Sequence, residues 1–381
     1  MDDDLAYHLC DVFLSNYTFV ARVLLRHLAD RGNRPPGVRK FHPKEGSGSM
    51  TVRITRRRAI TVLAAAAGLP LLMQANAAQA RLVRWEGTTL GAPSTIQLFS
   101  TDEAKARAAL AAAQGELARL EAIFSIYRAD SALSALNRDG KLDNAPAEFV
   151  ELVAHAKSLA AISDGAFDPT IQPVWQLYFS HFTASNPDPN GPARKDIDAA
   201  LALVDWKGIE IDAAGHRVAL ARPGMALTLN ARAQGYITDK VAEVLRAHGF
   251  SQMLVDMGEP RALEAKPDGS AWHIGIANPA DNTKAVTSVD VVNKCVSTSG
   301  GYGTIFDEAG KFTHIIDPRT GRTASADLGV TVIADTATIA DGLATALILA
   351  PEDKRQHILR IAGADKAIFV TPQGVVATVT A

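Results

Sequence analysis

Apolar and polar positions along the chain alternate with two periods. Residues 95–98 (Thr-Ile-Gln-Leu) alternate with period two and read as a strand, next to a turn-rich run, Gly-Thr-Thr-Leu-Gly-Ala-Pro, at 87–93. Over 102–124 apolar residues recur at helical spacing in an Ala/Leu-rich run, which predicts a helix capped by Thr101 or Asp102. Residues 146–162 predict a second helix. Between the two, Ile126-Tyr127-Arg128-Ala129-Asp130-Ser131 breaks the pattern and opens a short helix with Asp130 or Ser131 as cap. A Pro/Gly/Asn-rich stretch at 186–192 predicts an exposed loop. Strand-like alternation returns at 206–220 and 226–230. Residues 236–248 predict a helix closed by Gly249. Further strands are expected at 253–257, 273–277, 288–298 and 331–334, and an Ala-rich amphipathic helix at 338–349. Strands and helices come in mixed order without a regular βαβ period. The fold class is therefore α+β, with mixed or antiparallel sheets packed by helices.

The first eighty residues follow another pattern. Arg53-Ile54-Thr55-Arg56-Arg57-Arg58 precedes an Ala/Leu-rich run at 59–73. Residues 75–80 (Ala-Asn-Ala-Ala-Gln-Ala) then hold two successive small-x-small sites. A charged start, a short apolar middle and a small-residue exit make a secretory signal, and the adjacent arginines suggest the twin-arginine route. The apolar run is too short for a permanent membrane span. Met50 stands directly before this signal. Residues 1–49 are read as a non-native or upstream extension, 50–80 as the signal peptide and 81–381 as one domain, exported to the periplasm by a signal that ends near Ala80.

Charge and cysteine content narrow the chemistry. The formal net charge is −2, and no basic patch with interleaved aromatics appears, so nucleic acid is not an expected partner. Of the two cysteines, Cys10 and Cys295, only the second lies in 81–381, which leaves no disulfide and no cysteine-based zinc site to expect there.

Four segments carry candidate chemistry. Ser163-Asp164-Gly165-Ala166-Phe167-Asp168-Pro169-Thr170 brackets one aromatic with turn residues, and suits an ordinary Asp-Pro turn as well as a ligand site. Leu229-Asn230-Ala231-Arg232-Ala233-Gln234-Gly235-Tyr236, followed by Asp239, places small residues before a helix start, where a backbone can approach an anion such as phosphate. Thr313-His314-Ile315-Ile316-Asp317-Pro318-Arg319-Thr320-Gly321 crowds ionisable groups around a turn, and a histidine there can act as acid, base or donor to phosphate. In the run from Asp335 to Thr345, Asp341 and Thr345 are four apart and share one helix face. A carboxylate plus a hydroxyl is hard oxygen ligation suited to Mg²⁺; the alternative is a helix merely capped by Asp335 or Thr338 with Asp341 in solvent.

In this order the segments resemble the ApbE-type FAD:protein FMN transferases. The resemblance runs from Trp85 to about Ala350. It is carried by Gly87-Thr88-Thr89-Leu90-Gly91, Tyr127-Arg128-Ala129-Asp130-Ser131, Gly165-Ala166-Phe167-Asp168-Pro169-Thr170, Ala233-Gln234-Gly235-Tyr236, Ser297-Thr298-Ser299-Gly300, residues 314–321 and residues 341–345. The resemblance implies a T-fold-like α+β domain that binds FAD and Mg²⁺ and moves FMN onto a Ser or Thr of an acceptor flavoprotein, releasing AMP. By the same motif match, Asp341, Thr345 and the Ala231 backbone would hold the metal. Leu90, Tyr127, Ala166, Phe167, Asp168, Thr228, Gln234 and Ile316 would line the FAD site. His314 and Asp317 would lie near the pyrophosphate.

There are departures from the family pattern. Thr228 stands where the family usually has Asp, Gln234 where Lys or Glu is frequent, and Gly258-Glu259-Pro260-Arg261 where Gly-Gly-Asp-Ile-Arg is usual. These changes lower the charge around the nucleotide. The Ala-Gln-Gly-Tyr and Gly-Glu-x-Arg-Ala-Leu variants resemble the NosX branch, which implies a NosR-like membrane flavoprotein as acceptor in a nitrous-oxide reductase system. Two further activities would use the same residues: carriage of FAD or FMN without transfer, and Mg²⁺-dependent hydrolysis of FAD.

Overall fold

The computed structural model describes residues 80–381. The extension at 1–49 and all but the last residue of the expected signal at 50–80 lie outside the described residues. The first strand, β1 (Arg81–Thr89), pairs antiparallel with β2 (Ala92–Ser100). The turn expected across 87–93 is tighter than that. Only Leu90 and Gly91 leave the ladder, both at positive φ (48° and 86°), in keeping with a two-residue hairpin. The Leu90 N–H is anchored on Glu121 Oε1 at 2.8 Å.

Helix α1 (Glu103–Phe124) follows. Its apolar spacing buries Ala106, Ala109, Leu110, Ala113, Leu117, Leu120 and Phe124, and Asp102 caps it by accepting from Lys105 N at 3.0 Å. Helix α2 (Ala132–Asp139) is capped by Ser131 and ends at Gly140 in the left-handed region. After the two-residue β3 (Lys141–Leu142) comes α3 (Ala147–Ile162). Two helices without a sequence-level forecast follow, the aromatic-rich α4 (Gln172–Thr183) and α5 (Arg194–Leu201).

The period-two run at 206–220 becomes two strands, β4 (Ile209–Asp212) and β5 (Arg217–Leu220), which form a small sheet with β3 in the order β3-β5-β4. The alternation at 226–230 is real, since Leu227 and Leu229 are buried, yet no strand forms. The ladder is replaced by other partners. Leu227 N donates to Asn137 Oδ1 at 2.7 Å, Leu227 O accepts from Asn137 Nδ2 at 2.8 Å, and Thr228 N donates to Pro169 O at 2.8 Å.

Helix α6 (Asn230–Ala247) begins six residues earlier than its periodicity suggests, across a kink at Ala231 (φ −83°, ψ 17°), and ends at Gly249 with φ 83°. Strands β6 (Met253–Asp256) and β7 (Pro260–Leu263) lead to the hairpin β8 (Trp272–Asn278) and β9 (Asp281–Val291), then β10 (Lys294–Gly300) and β11 (Gly329–Ala334). The single run expected at 288–298 is split between β9 and β10 by a turn with Asn293 at positive φ. Helices α7 (Ala337–Leu349) and α8 (Glu352–Ile361) precede β12 (Ala364–Val370) and β13 (Val376–Thr380).

The main sheet has eight strands in the order β1-β2-β6-β7-β10-β11-β12-β13, and every pairing in it is antiparallel. Its central strands are covered on both faces, so successive residues enter different cores. Met253 and Val255 pack with the helices, whereas Leu254 packs with Trp272, Ile274 and Ile276 of the β8–β9 hairpin. A third cluster joins α4 and α5 to the 305–316 loop region through Val174, Tyr178, Ile197 and Ile316. The fold is α+β, with antiparallel sheets packed by helices.

Candidate active site

Helices α6 and α7 pack against each other, and Gly235 sets how closely. A Cβ at Gly235 would lie 2.3 Å from Ala337 O and 2.9 Å from Asp341 Cβ. Small residues in this run suggested room for a ligand at the backbone. At Gly235 that room is filled by α7. The approach lets the Gly235 N–H donate to Asp341 Oδ2 at 3.0 Å.

Asp341 is only 3% exposed, and burial pushes its carboxyl up to about 7 despite the Gly235 N–H and the nearby Arg232 guanidinium. The solvated alternative for Asp341 is thereby removed. Arg232 is equally deep. Its chain passes Gly342, where a Cβ would sit 2.9 Å from Arg232 Cγ, and burial draws the guanidinium down to about 10 although the Asp341 charge opposes this.

Helix α7 is held at its N-terminus from α6. Asp239 accepts from Ala337 N (3.0 Å), Thr338 N (2.9 Å) and Thr338 Oγ1 (2.6 Å), and it pairs with the Arg261 guanidinium. The local cap is Thr336, which accepts from Ile339 N, rather than Asp335 or Thr338. Anionic Asp239 also complements the positive end of the helix. One turn beyond Asp341, Thr345 Oγ1 lies 2.9 Å from Ser299 Oγ on β10. Ala231 sits at the kink, four residues before Gly235.

The remaining expected residues fall into two groups. Tyr127 is 53% exposed, and its Oη accepts from Asn230 Nδ2 at 3.3 Å, which ties the Tyr127 segment to the start of α6. Gln234, on the first turns of α6, lies against Gly258, where a Cβ would meet its Nε2 at 2.8 Å. His314 Nδ1 lies 3.2 Å from Thr304 N and 3.1 Å from Thr304 O, so the ring is pinned beside Gly303. Leu90 occupies the strained β1–β2 turn, and Thr228 Oγ1 accepts from Asn230 N at 3.3 Å.

The second group makes its visible contacts within the fold. Asp168 commits Oδ1 to Thr170 N and Oγ1 (2.8 and 2.6 Å) and Oδ2 to Trp206 N (3.1 Å), and burial raises its pKa. It ties the turn holding buried Ala166 and Phe167 to the 206–208 segment. Asp317, expected near a pyrophosphate, binds Arg319 through both carboxylate oxygens, and Arg319 in turn donates to Leu349 O at the end of α7 (2.8 Å). The Ile316 side chain is buried in the third cluster, among Val174, Tyr178 and Ile197. Three residues at the crossing had no role at the sequence level: Arg232, Asp239 and Glu259. The run around α6 contained the first two, but only the packing of α7 onto α6 shows what they face.

A family model described as the ApbE family matches residues 90–369. The chain belongs to the ApbE family. An FAD:protein FMN transferase of Salmonella typhimurium is 32% identical over 288 residues, covering 73% of this chain and 81% of that protein. The FAD:protein FMN transferase of Treponema pallidum is 32% identical over 310 residues, covering 74% and 83%. In three dimensions the apo crystal structure of the Pseudomonas stutzeri flavinyl transferase ApbE superposes with a TM-score of 0.66 at 32% identity, covering 79% of this chain and 96% of that one.

The residues of this ApbE-family chain fit an oxygen-ligated divalent cation. Among the described residues no three His, Cys, Asp or Glu side chains form a metal-holding group. A cation here would draw on the Asp341 carboxylate, the Thr345 hydroxyl and backbone oxygen, a hard donor set that leaves positions for phosphate and water. The buried Arg232 guanidinium offsets only part of the negative charge in the surroundings. Asp341 and Glu259 are both buried and each is pushed up by burial, with the Asp341 charge adding to the rise at Glu259. A bound cation would relieve that excess of negative charge.

Proposed function

We propose that the chain transfers FMN from FAD to a hydroxyl of an acceptor flavoprotein and releases AMP, with Mg²⁺ held by Asp341, Thr345 and the Ala231 backbone. The observation that carries this reading is the buried Asp341 carboxylate, fixed by the Gly235 N–H with the Thr345 hydroxyl one turn away, at the helix crossing of an ApbE-family chain. The curated relatives support the activity by name. In the reaction the acceptor's Ser or Thr oxygen bonds to the FMN phosphorus. The bond from that phosphorus to the AMP oxygen breaks, and the hydroxyl proton passes to the released phosphate or to solvent. The cation, when bound, offsets charge on the phosphoryl oxygens. Asp341 is held in place by α6, so little reorganisation is needed at that step. Tyr127 offers an exposed ring for the isoalloxazine, and His314 a donor toward the pyrophosphate.

The finer setting is part of the same proposal. The NosX-like variants around Gln234 and Glu259 point to a NosR-like membrane acceptor in nitrous-oxide reductase maturation. The twin-arginine-type signal points to export and to a mature chain beginning at Arg81, where β1 starts. N-terminal sequencing of periplasmic protein should read Arg81 first, and replacing Arg56, Arg57 and Arg58 with Lys should block export.

The deciding experiment is incubation with FAD, Mg²⁺ and a candidate acceptor domain, read by intact mass and AMP release. The expected result is one FMN added to the acceptor, abolished by EDTA. AMP release without a modified acceptor would make the chain an FAD hydrolase. Tight FAD binding with neither product would make it a carrier.

A further inference from the structure

Among the described residues five buried side-chain polar atoms lack a hydrogen-bond partner. Four of them, Asn230 Oδ1, Arg232 Nε, Glu259 Oε2 and Ser297 Oγ, belong to the segments that meet around Asp341. Glu259 directly precedes β7, and Ser297 is on β10. These strands pair with Arg261 opposite Cys295, and continuing that register by two residues brings Glu259 opposite Ser297. Glu259 is 7% exposed and Ser297 fully buried. Burial and the Asp341 charge on α7 push Glu259 up, with Asp256 on β6 adding to this, while the Ser297 hydroxyl and the Thr298 backbone N–H favour its charged form from one side and leave Oε2 without a partner. The nearby guanidinium of Arg261 is engaged with Asp239.

A buried carboxylate beside a second carboxylate, with an oxygen left unpaired, is strongly unfavourable in a finished core. An unpaired oxygen deep beside a cation site is instead an acceptor waiting for water on that cation. We propose that Glu259, assisted by Ser297, is a positioning residue for the cation site of Asp341 and Thr345. Its Oε2 receives water bound to the cation, and its negative charge raises cation affinity at the expense of the metal-free fold. This rests on the cation reading given above.

The test is calorimetric titration of the FAD-free full chain with Mn²⁺ and Mg²⁺, together with thermal unfolding of the metal-free protein, for the parent, Glu259→Gln, Glu259→Asp, Ser297→Ala and Asp341→Asn. Glu259→Gln should weaken cation binding by about tenfold to a hundredfold while the metal-free Tm stays the same or rises. Glu259→Asp should recover part of the affinity, and Ser297→Ala should show a smaller loss. Parental affinity in Glu259→Gln, with binding lost in Asp341→Asn, would overturn the role of Glu259 and leave the cation site standing. Loss of affinity together with a fall in Tm in both Glu259 variants would also overturn it, by making Glu259 a support of the fold. Absence of cation binding by the parent, with or without FAD, would overturn this role and the cation site together.

Discussion

The carboxylate of Asp341 and the backbone N–H of Gly235 meet at 3.0 Å across two helices that can approach this closely only because position 235 has no side chain. One contact thus serves two purposes. It satisfies a buried donor, and it fixes the orientation of the carboxylate proposed above to hold the cation.

Asp341→Asn should separate the two purposes. The amide keeps an oxygen for the Gly235 N–H, so Tm should stay within a few degrees of the parent. FMN transfer should fall roughly a hundredfold or more, with FAD affinity nearly unchanged, because the lost interaction acts mainly in the transition state. Thr345→Ala should be milder, since water can replace a neutral hydroxyl. Transfer at the parental rate by Asp341→Asn would remove Asp341 from the chemistry.

Gly235→Ala should damage both fold and activity. The new methyl would sit 2.3 Å from a backbone carbonyl that cannot rotate away. Overpacking of this kind costs about 1–3 kcal/mol, and the displaced α7 would carry Asp341 with it. Urea unfolding at constant m-value reads the first effect, and acceptor mass the second.

Asp239→Ala should lower stability by about 3 kcal/mol, because it leaves the Arg261 guanidinium unpaired and removes the acceptor for two N–H groups of α7. The effect should appear in urea midpoints without FAD or metal. A change below about 0.5 kcal/mol, the range of ordinary surface substitutions, would show that Thr336 alone suffices as cap.

Asp256 should make the protein less stable as pH rises. Burial lifts its carboxyl from 3.8 to about 6, against one hydrogen bond from Gly258 N. The folded state therefore holds a proton that the unfolded state has released between those values. This contribution to stability is complete below pH 4 and lost as pH passes 6. Asp256→Asn, which keeps an acceptor, should be more stable than the parent by up to about 3 kcal/mol at pH 7.5 and nearly equal to it at pH 4. Urea midpoints at the two pH values give the comparison, and an equal gap at both would contradict it.

Tyr127→Ala should weaken FAD binding about threefold or more, the loss expected for one aromatic stacking contact. The ring is 53% exposed, so its truncation uncovers little core and stability should change little. Identical flavin titrations for variant and parent would place the isoalloxazine elsewhere.

The α+β class, the two candidates for each cap that include Asp102 and Ser131, the stop at Gly249 and the helix bearing Asp341 and Thr345 were all legible in the sequence. Each depends on residues within a few positions of one another, through side-chain periodicity or a cap reaching the next turn. The alternation at 226–230 misled because a strand needs a neighbouring strand, and Asn137 and Pro169 took those hydrogen bonds instead. Asp168 and Asp317 stood out as ionisable groups beside prolines, but their partners Trp206 and Arg319 came only with the structure. What tertiary structure alone decided is the state of the crossing: Asp341 buried rather than solvated, Arg232 beneath Gly342, Asp239 capping a helix about a hundred residues away, and Glu259 left with an unpaired oxygen. The physical reason is that desolvation and close approach depend on which distant elements share a volume, and local periodicity carries no record of that pairing.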